Sequence, residues 1–354
     1  MSMDVFHYFG LYLQAKFKIM ITTDICIIGA GPVGLFTVFE AGLLKMRCHL
    51  VDYLPQVGGQ LSEIYPQKPI YDIPGYPTIN AQELVDNLMK QIEPFAPTFT
   101  LGERVEVLEK KDDGSFRMVT NEGTEIQSKV VVIAGGLGVF EPRKPAIDRL
   151  EEFENGKGVA YFVKTPESYR GKNVVLAGGG DSALDWTIYL ANIANRVTLI
   201  HRGETFRGAP DSAEKVFEMA KAGKIDLILK SNLSAVKGDA HLEEVIYVNG
   251  HGASESIKAD YLIPLFGLTP KLGPIADWNL EIDRTAIEVD TFDYSTNVPG
   301  IFAVGDINTY PGKLKLILCG FHEAALMCQS AFKFVYPDQK LSFKYTTVNG
   351  VNAF

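Results

Sequence analysis

Two short glycine-rich stretches are the features of this chain best suited to chemistry. Gly29-Ala30-Gly31-Pro32-Val33-Gly34 follows the apolar run Ile25-Cys26-Ile27-Ile28, the pattern of a buried strand turning sharply into a helix. Gly29 permits the tight turn, Gly31 lets a diphosphate approach the backbone, and Gly34 lets helix and sheet pack closely. The unpaired amides and the dipole of the helix start favour that anion, and Pro32 costs nothing in the first helical turn. A second run, Cys48-His49-Leu50-Val51, ends at Asp52, where a carboxylate accepts from a ribose hydroxyl. The glycines alone are a weak signal. With a strand before, a helix after and an acid at this distance they read as a dinucleotide site.

The pattern then recurs. Asn173-Val174-Val175-Leu176-Ala177 leads into Gly178-Gly179-Gly180-Asp181-Ser182-Ala183, with alanine at the third position, which the fingerprint allows. The next strand, Val197-Thr198-Leu199-Ile200, ends in His201 and Arg202, with Arg207 close behind. A cationic turn suits a 2′-phosphate as an acid suits a 2′-hydroxyl, so the second site is expected to take NADP rather than NAD. Gly203 leaves a gap in the basic series, and Glu204 is of the wrong sign. Two dinucleotide sites in one chain point to a circuit: one holds a flavin dinucleotide, and the other admits the nicotinamide dinucleotide that exchanges hydride with it.

The elements that must carry these turns are legible from periodicity. Asn80 reads as the cap of a helix through Phe95, with Glu83 as its capping-box partner. Strand patterns joined by Gly114 and Gly123 lead into Val130–Gly136, and helices are expected to about Ala194, over 211–222 and over 320–335. A last strand, Ile301–Ala303, runs into Val304-Gly305-Asp306. One strand and one helix cannot form a domain, so this piece must pack on an earlier one. The expected fold is α/β: two Rossmann-like three-layer nucleotide-binding domains, the second inserted into the first. The expected boundaries are an extension over 1–21, a first domain over 22–137 and 297–354, and an inserted domain over 138–296.

Composition narrows the alternatives. The 354 residues suit about two domains, and the net charge of −9 disfavours a nucleic-acid binder. None of the four cysteines, Cys26, Cys48, Cys319 and Cys328, stands in a C-x-x-C pair or a histidine cluster. Structural zinc, clustered iron–sulfur and a vicinal dithiol therefore lack their usual spacing. The first 19 residues have an aromatic run, but Asp4 makes the leading region non-basic, His7 interrupts the run, and no small-residue cleavage site follows. That argues against a signal peptide, and a cytoplasmic protein without metal, membrane or nucleic-acid partners is expected.

The motifs together resemble the ferredoxin–NADP reductases of the thioredoxin-reductase-like type, homodimeric FAD enzymes, over about residues 22–350. The general flavoprotein part rests on DICIIGAGPVGL, VVVIAGG, VVLAGGGDSALDW, LIHRGETFR and GIFAVGDI; PQVGGQLSEIYPQKPIYDIPGYP, KLKLILCGFHEAA and the tail FKYTTV are more specific. Thioredoxin reductases carry a C-x-x-C before the second glycine motif, where this chain reads Ala160-Tyr161-Phe162-Val163-Lys164-Thr165-Pro166-Glu167. Dithiol exchange has no sulfur there, so electrons must leave the flavin directly, to ferredoxin or flavodoxin.

The resemblance implies roles for individual residues. Gly58, Gly59 and Gln60 line the FAD, Asp306 binds its ribityl chain, and Tyr65 stacks on one face of the isoalloxazine. Tyr345 matches the aromatic on the other face, with Phe343 as the neighbour a two-residue slip would substitute, and Thr346 the hydroxyl near the reactive edge. In the family this tail comes from the partner subunit, and the helix near Gly320 points its positive end at the flavin. As isolated groups, His322 and Asp181 read as structural rather than catalytic. From Lys313 to the end, five lysines (313, 315, 333, 340, 344) face two acids, Glu323 and Asp338, and this basic region is expected to steer an acidic electron carrier. Three other readings stay open: a disulfide reductase serving an external thiol protein, a quinone reductase, and a flavin-containing redox sensor.

Overall fold

Strand β1 (Ile21–Ile28) is apolar on both faces where it is central, with Ile25, Cys26 and Ile27 fully buried, as expected of a parallel strand covered on both sides. The computed structural model describes residues 20–341 and 350–354, and it divides into two compact units. Unit 1 takes residues 1–62, 70–138 and 272–354; unit 2 takes 63–69 and 139–271.

Unit 1 begins with β1, helix α1 (Pro32–Leu43), β2 (Cys48–Asp52), helix α2 (Ala81–Ile92), β3 (Thr98–Leu101), β4 (Val105–Lys110), β5 (Phe116–Thr120) and β6 (Glu125–Ile133). The sheet order is β3-β2-β1-β6-β5-β4. Strand β6 is shared: its start pairs antiparallel with β5, while along its length it runs parallel to β1. Its end, Val130–Ile133, is fully buried, each side chain contributing about 1.5–3 kcal/mol by leaving water. On α2, Ala81, Leu84, Val85, Leu88 and Ile92 form the buried stripe. Asn80 is the N-cap residue in extended conformation, but its side chain makes no cap hydrogen bond, so the expected capping box does not form.

Unit 2 holds β7 (Asn173–Gly178), α3 (Asp181–Leu190), β8 (Arg196–Ile200), α4 (Pro210–Lys221), β9 (Asp226–Ile228), β10 (Asn232–Gly238), β11 (Leu242–Val248), β12 (Ser254–Lys258) and β13 (Tyr261–Leu265). Its parallel sheet has the order β9-β8-β7-β13, and β10-β11-β12 form an antiparallel sheet of their own. Helix α3 ends at Leu190, a few residues short of the expected Ala194, and α4 starts one residue early, at Pro210. Proline at that first position fits, because its missing N–H has no partner in a first turn.

The chain then contributes to unit 1 again with β14 (Ile301–Ala303) and α5 (Ile317–Val335). Strand β14 pairs parallel with the end of β6, Ile301 opposite Val131. Where 296 was the expected end of the inserted segment, the structure puts that end at Lys271. The physical reason is core membership. Ile275, Trp278, Leu280 and Ile287 are buried in the unit 1 cluster with Phe116 and Ile301, and the Trp278 indole donates to the Glu106 carbonyl at 3.3 Å. Residues 63–69 belong by contacts to unit 2 although they follow a unit 1 turn.

Candidate functional site

In unit 1 the glycine turn is built from β-strand ends. The Gly29 amide donates to Val51 O at 2.8 Å and the Ala134 amide to Ile28 O at 2.8 Å, so β1, β2 and β6 all end at one place. Gly29 has φ +113°, and a β-carbon there would collide with the Ala134 carbonyl; one on Gly34 would collide with the Gly29 carbonyl. At Gly31 a β-carbon would meet nothing within 4 Å. The two outer glycines thus serve packing, while the middle one borders open space at the start of α1, as a bound diphosphate requires.

Asp52 ends β2 as expected. One carboxylate oxygen accepts the Ala30 amide at 2.7 Å and the other the Leu54 amide at 2.8 Å. Burial raises this carboxyl above the usual aspartate range, and the two amides only partly offset it. Asp52 therefore shapes the turn and keeps further lone pairs able to accept a hydrogen bond. The Gly58 amide donates to Ala30 O at 2.8 Å, which brings the Gly58–Gln60 turn against the first one. A β-carbon on Gly59 would lie 3.3 Å from Gly31 Cα, and one on Gly136 would lie 3.7 Å from the Gln60 amide nitrogen.

The turn after β14 completes this end of the sheet. Asp306 sits in a single helical turn, Gly305–Ile307. Burial raises its carboxyl, with Glu323 adding to the effect and Lys315 and Lys313 opposing it. Beneath it lies a polar cluster with no counterpart in the sequence expectations. Glu323 on α5 has 0% exposure. It accepts from the Gly305 amide at 2.6 Å, the Asn308 side-chain amide at 2.9 Å, the Tyr310 hydroxyl at 2.9 Å and the Lys313 ammonium at 2.5 Å. Lys313 also donates to Gly305 O at 2.9 Å. A sequence signal existed: Gly320, Glu323, Ala324, Met327 and Cys328 share the buried face of α5, so an acid sits in an apolar register. A β-carbon on Gly320 would collide with Val33 and lie 3.3 Å from Gly305 Cα, so glycine lets α5 close on α1 and this turn. The helix starts at Ile317, one turn before the expected Gly320.

This cluster corrects one expectation. The Lys313 side chain is only 6% exposed and bonded to Glu323, so it cannot present its charge to a partner. Of the basic region, Lys315, Lys333 and Lys340 are exposed. Lys344, Phe343, Tyr345 and Thr346 lie outside the described residues.

In unit 2 the second glycine turn repeats the logic. A β-carbon on Gly178 would lie 2.6 Å from Leu265 O, whereas Gly180 has nothing within 4 Å. The basic turn is stitched back onto it. The Arg207 amide donates to Gly179 O at 2.7 Å, and the Ala209 amide to the Asp181 carboxylate at 2.7 Å. His201 is buried, its ring lying where a β-carbon of Gly179 would be and one nitrogen 3.0 Å from Thr205 O. Asp181 and His201 thus hold the turn, while Ser182, Arg202 and Arg207 are exposed around the open Gly180. An open, mainly apolar groove of about 570 Å³ adjoins Arg207, lined in part by Thr205, Phe206, Gly208 and Phe217. Tyr65 packs against the apolar cluster of unit 2, with the Lys68 ammonium 5.7 Å from its ring centre.

All four cysteines are free; Cys26, Cys48 and Cys328 are buried, and burial pushes the Cys26 thiol up to about 12. Among the described residues no group of histidines, cysteines and acids could hold a metal ion.

Comparison with known proteins places this geometry. Residues 23–324 match the family model described as pyridine nucleotide-disulphide oxidoreductase. The chain is 62% identical to the ferredoxin–NADP reductase of Flavobacterium johnsoniae, with 95% of each chain covered. It is 54% identical to the ferredoxin–NADP reductase of Beijerinckia indica, covering 92% of this chain and 95% of that one. Among solved structures, the thioredoxin reductase of Lactococcus lactis superposes with a TM-score of 0.76 at 28% identity, over 89% of this chain and 99% of that one.

Proposed function

This chain belongs to the pyridine nucleotide-disulphide oxidoreductase family and, within it, to the ferredoxin–NADP reductases of the thioredoxin-reductase-like type, and from that premise we propose how its two units divide the work. The chain is an oxidoreductase that binds FAD and exchanges hydride with NADP(H), and its redox partner is ferredoxin, with flavodoxin as a substitute of the same kind. The observation that carries the division of labour is the duplicated turn with opposite charge. Each unit has one glycine with open space at a helix start, Gly31 and Gly180. Beside the first stands the acid Asp52, and beside the second the exposed Arg202 and Arg207. The residues fit FAD in unit 1 and NADPH in unit 2.

Bound FAD supplies the redox step, taking two electrons as hydride and releasing them singly to a one-electron carrier. The protein supplies position and field. Amides at the start of α1 receive the FAD diphosphate, and Asp52 accepts from the ribose. Gly58, Gly59 and Gln60 wall the same end of the sheet, and Asp306 accepts from the ribityl hydroxyls on a turn that Glu323 and Lys313 hold rigid. In unit 2, Gly178–Gly180 receive the NADPH diphosphate, and Arg202 and Arg207 attract the 2′-phosphate. The stretch Ala160–Glu167, where thioredoxin reductases carry a C-x-x-C, holds no cysteine, so electrons leave without a thiol relay.

Further roles rest on the resemblance. Tyr65 and Tyr345 are proposed to cover the two faces of the isoalloxazine, and Thr346 to bond near its reactive edge. The tail is proposed to come from the partner of a homodimer. No helix among the described residues is long and apolar enough to cross a membrane, and the free cysteines suit a reducing cytoplasm. The test is anaerobic: the yellow holoenzyme is bleached by NADPH much faster than by NADH, and oxidised ferredoxin restores the colour. Bleaching without return of colour to ferredoxin would overturn the proposal.

A further inference from the structure

As a grip for a 2′-phosphate, the basic turn after β8 has two flaws. Gly203 interrupts the cationic series, and Glu204 sets a negative charge beside an anion. One residue from another strand end meets both. Lys230 lies just beyond β9, and its amide donates to the Gly203 carbonyl at 3.2 Å, while the next amide, Ser231, donates to His201 O at 3.1 Å. The Lys230 ammonium pairs with the Glu204 carboxylate. Their side chains are 60% and 64% exposed, and an ion pair so open to water adds little to stability. Nor is the pair needed to staple the turn. Backbone bonds do that: the His201 amide to Ile228 O at 2.8 Å, the Lys230 amide to Gly203 O, and the Arg207 amide to Gly179 O at 2.7 Å. Moreover, Lys230 is held at φ +53°, a left-handed conformation that costs a residue with a β-carbon and that glycine or asparagine would adopt more easily.

We propose that Lys230 is a specificity residue for NADPH: it cancels Glu204 and supplies the cation missing at Gly203, so that Arg202 and Arg207 meet the 2′-phosphate in a positive field. NADH has no such phosphate, so the contribution falls on discrimination between the two nucleotides. The inference rests on the reading of unit 2 as the NADPH unit, and Arg207 serves to test that reading separately.

The holoenzyme and its Lys230→Gln, Lys230→Arg, Lys230→Gln/Glu204→Gln and Arg207→Ala variants are compared for kcat/KM with NADPH and with NADH. Binding of 2′,5′-ADP is compared with that of 5′-AMP. For Lys230→Gln the ratio of kcat/KM for NADPH over NADH falls about tenfold, the effect of one charge at a few ångströms near a surface. The affinity for 2′,5′-ADP falls by a similar factor relative to 5′-AMP. Lys230→Arg keeps the ratio within about twofold, and removing Glu204 as well restores most of the loss, because the repelling charge is gone. The proposal is overturned if Lys230→Gln leaves the ratio and the 2′,5′-ADP preference unchanged while Arg207→Ala lowers both. If Arg207→Ala leaves them unchanged too, the assignment of NADPH to this turn falls first. Ratios taken within one variant are insensitive to the fraction folded.

Discussion

Replacing Glu323 by leucine should damage the protein more than any other single change to a polar side chain of unit 1. Its carboxylate is fully buried and accepts from Gly305, Asn308, Tyr310 and Lys313. Glu323→Leu leaves the Lys313 ammonium, itself only 6% exposed, with the Gly305 carbonyl and the Tyr310 ring but without its bonded carboxylate. It also strands the Gly305 amide. Removing one partner of a buried ion pair costs about 3–5 kcal/mol, and the stranded amide lies within that figure, because effects in one network are not additive. For a folding unit of this size each kcal/mol moves the midpoint by about 2–4 °C, so a loss on the order of 10 °C is expected. Thermal melts followed by circular dichroism and by release of flavin fluorescence read both the fold and the FAD site. Lys313→Met/Glu323→Leu should recover more than half of the loss, since no unpaired charge remains inside. A single variant within about 1 kcal/mol of the parent, or a double variant no better than the single one, would refute the account of this cluster.

Other consequences are equally concrete. Gly29→Ala forces a β-carbon onto the Ala134 carbonyl at φ +113° and should cost stability with or without FAD. Gly31→Val fills open space, so the melt of the apoprotein should stay near that of the parent while FAD affinity falls at least about tenfold; flavin content on purification separates the two. His49 is buried between the Thr98 and Thr100 hydroxyls, and burial lowers its imidazole from 6.5 to about 4. The unfolded chain therefore binds the extra proton first. This contribution is complete above about pH 6.5 and declines by up to about 1.4 kcal/mol per pH unit towards pH 4. Urea titrations at pH 7 and pH 5 should show a smaller drop for His49→Asn, and an equal drop would contradict the reasoning. Cys319→Ser should keep ferredoxin reduction by NADPH within about twofold, because no thiol lies on the electron path. Thr346→Val, with FAD retained, should slow flavin reduction by NADPH; an unchanged half-reaction rate would remove Thr346 from the mechanism.

Much of this was legible in the residues because the relevant physics is local. A buried strand, a glycine turn and a helix start are contiguous in sequence, so the turn at Gly29, Gly31 and Gly34 and the strand end at Asp52 could be placed from spacing alone. The sign of the second strand end was local too, in Arg202 and Arg207. What escaped depended on pairing across the chain. Lys313 looked like part of a basic surface because its partner, Glu323, is one helix further on and the burial of both is a tertiary property. Lys230 carried no signal, since only the pairing of β8 with β9 brings it to Gly203. Trp278 and Ile287 read as inserted-domain residues until the core they fill was visible. The capping box at Asn80 failed for the opposite reason: the motif was right for a helix start, and the helix begins there without using the side chain.

The central claim is that hydride enters through a flavin and electrons depart without a sulfur relay. Anaerobic titration of the oxidised holoenzyme with NADPH measures this by counting electrons. The account predicts that the flavin absorbance is lost at about one NADPH per chain, with no further uptake and no new thiols. An end point near two equivalents, with two thiols appearing, would reveal a reducible disulfide on the path and contradict it.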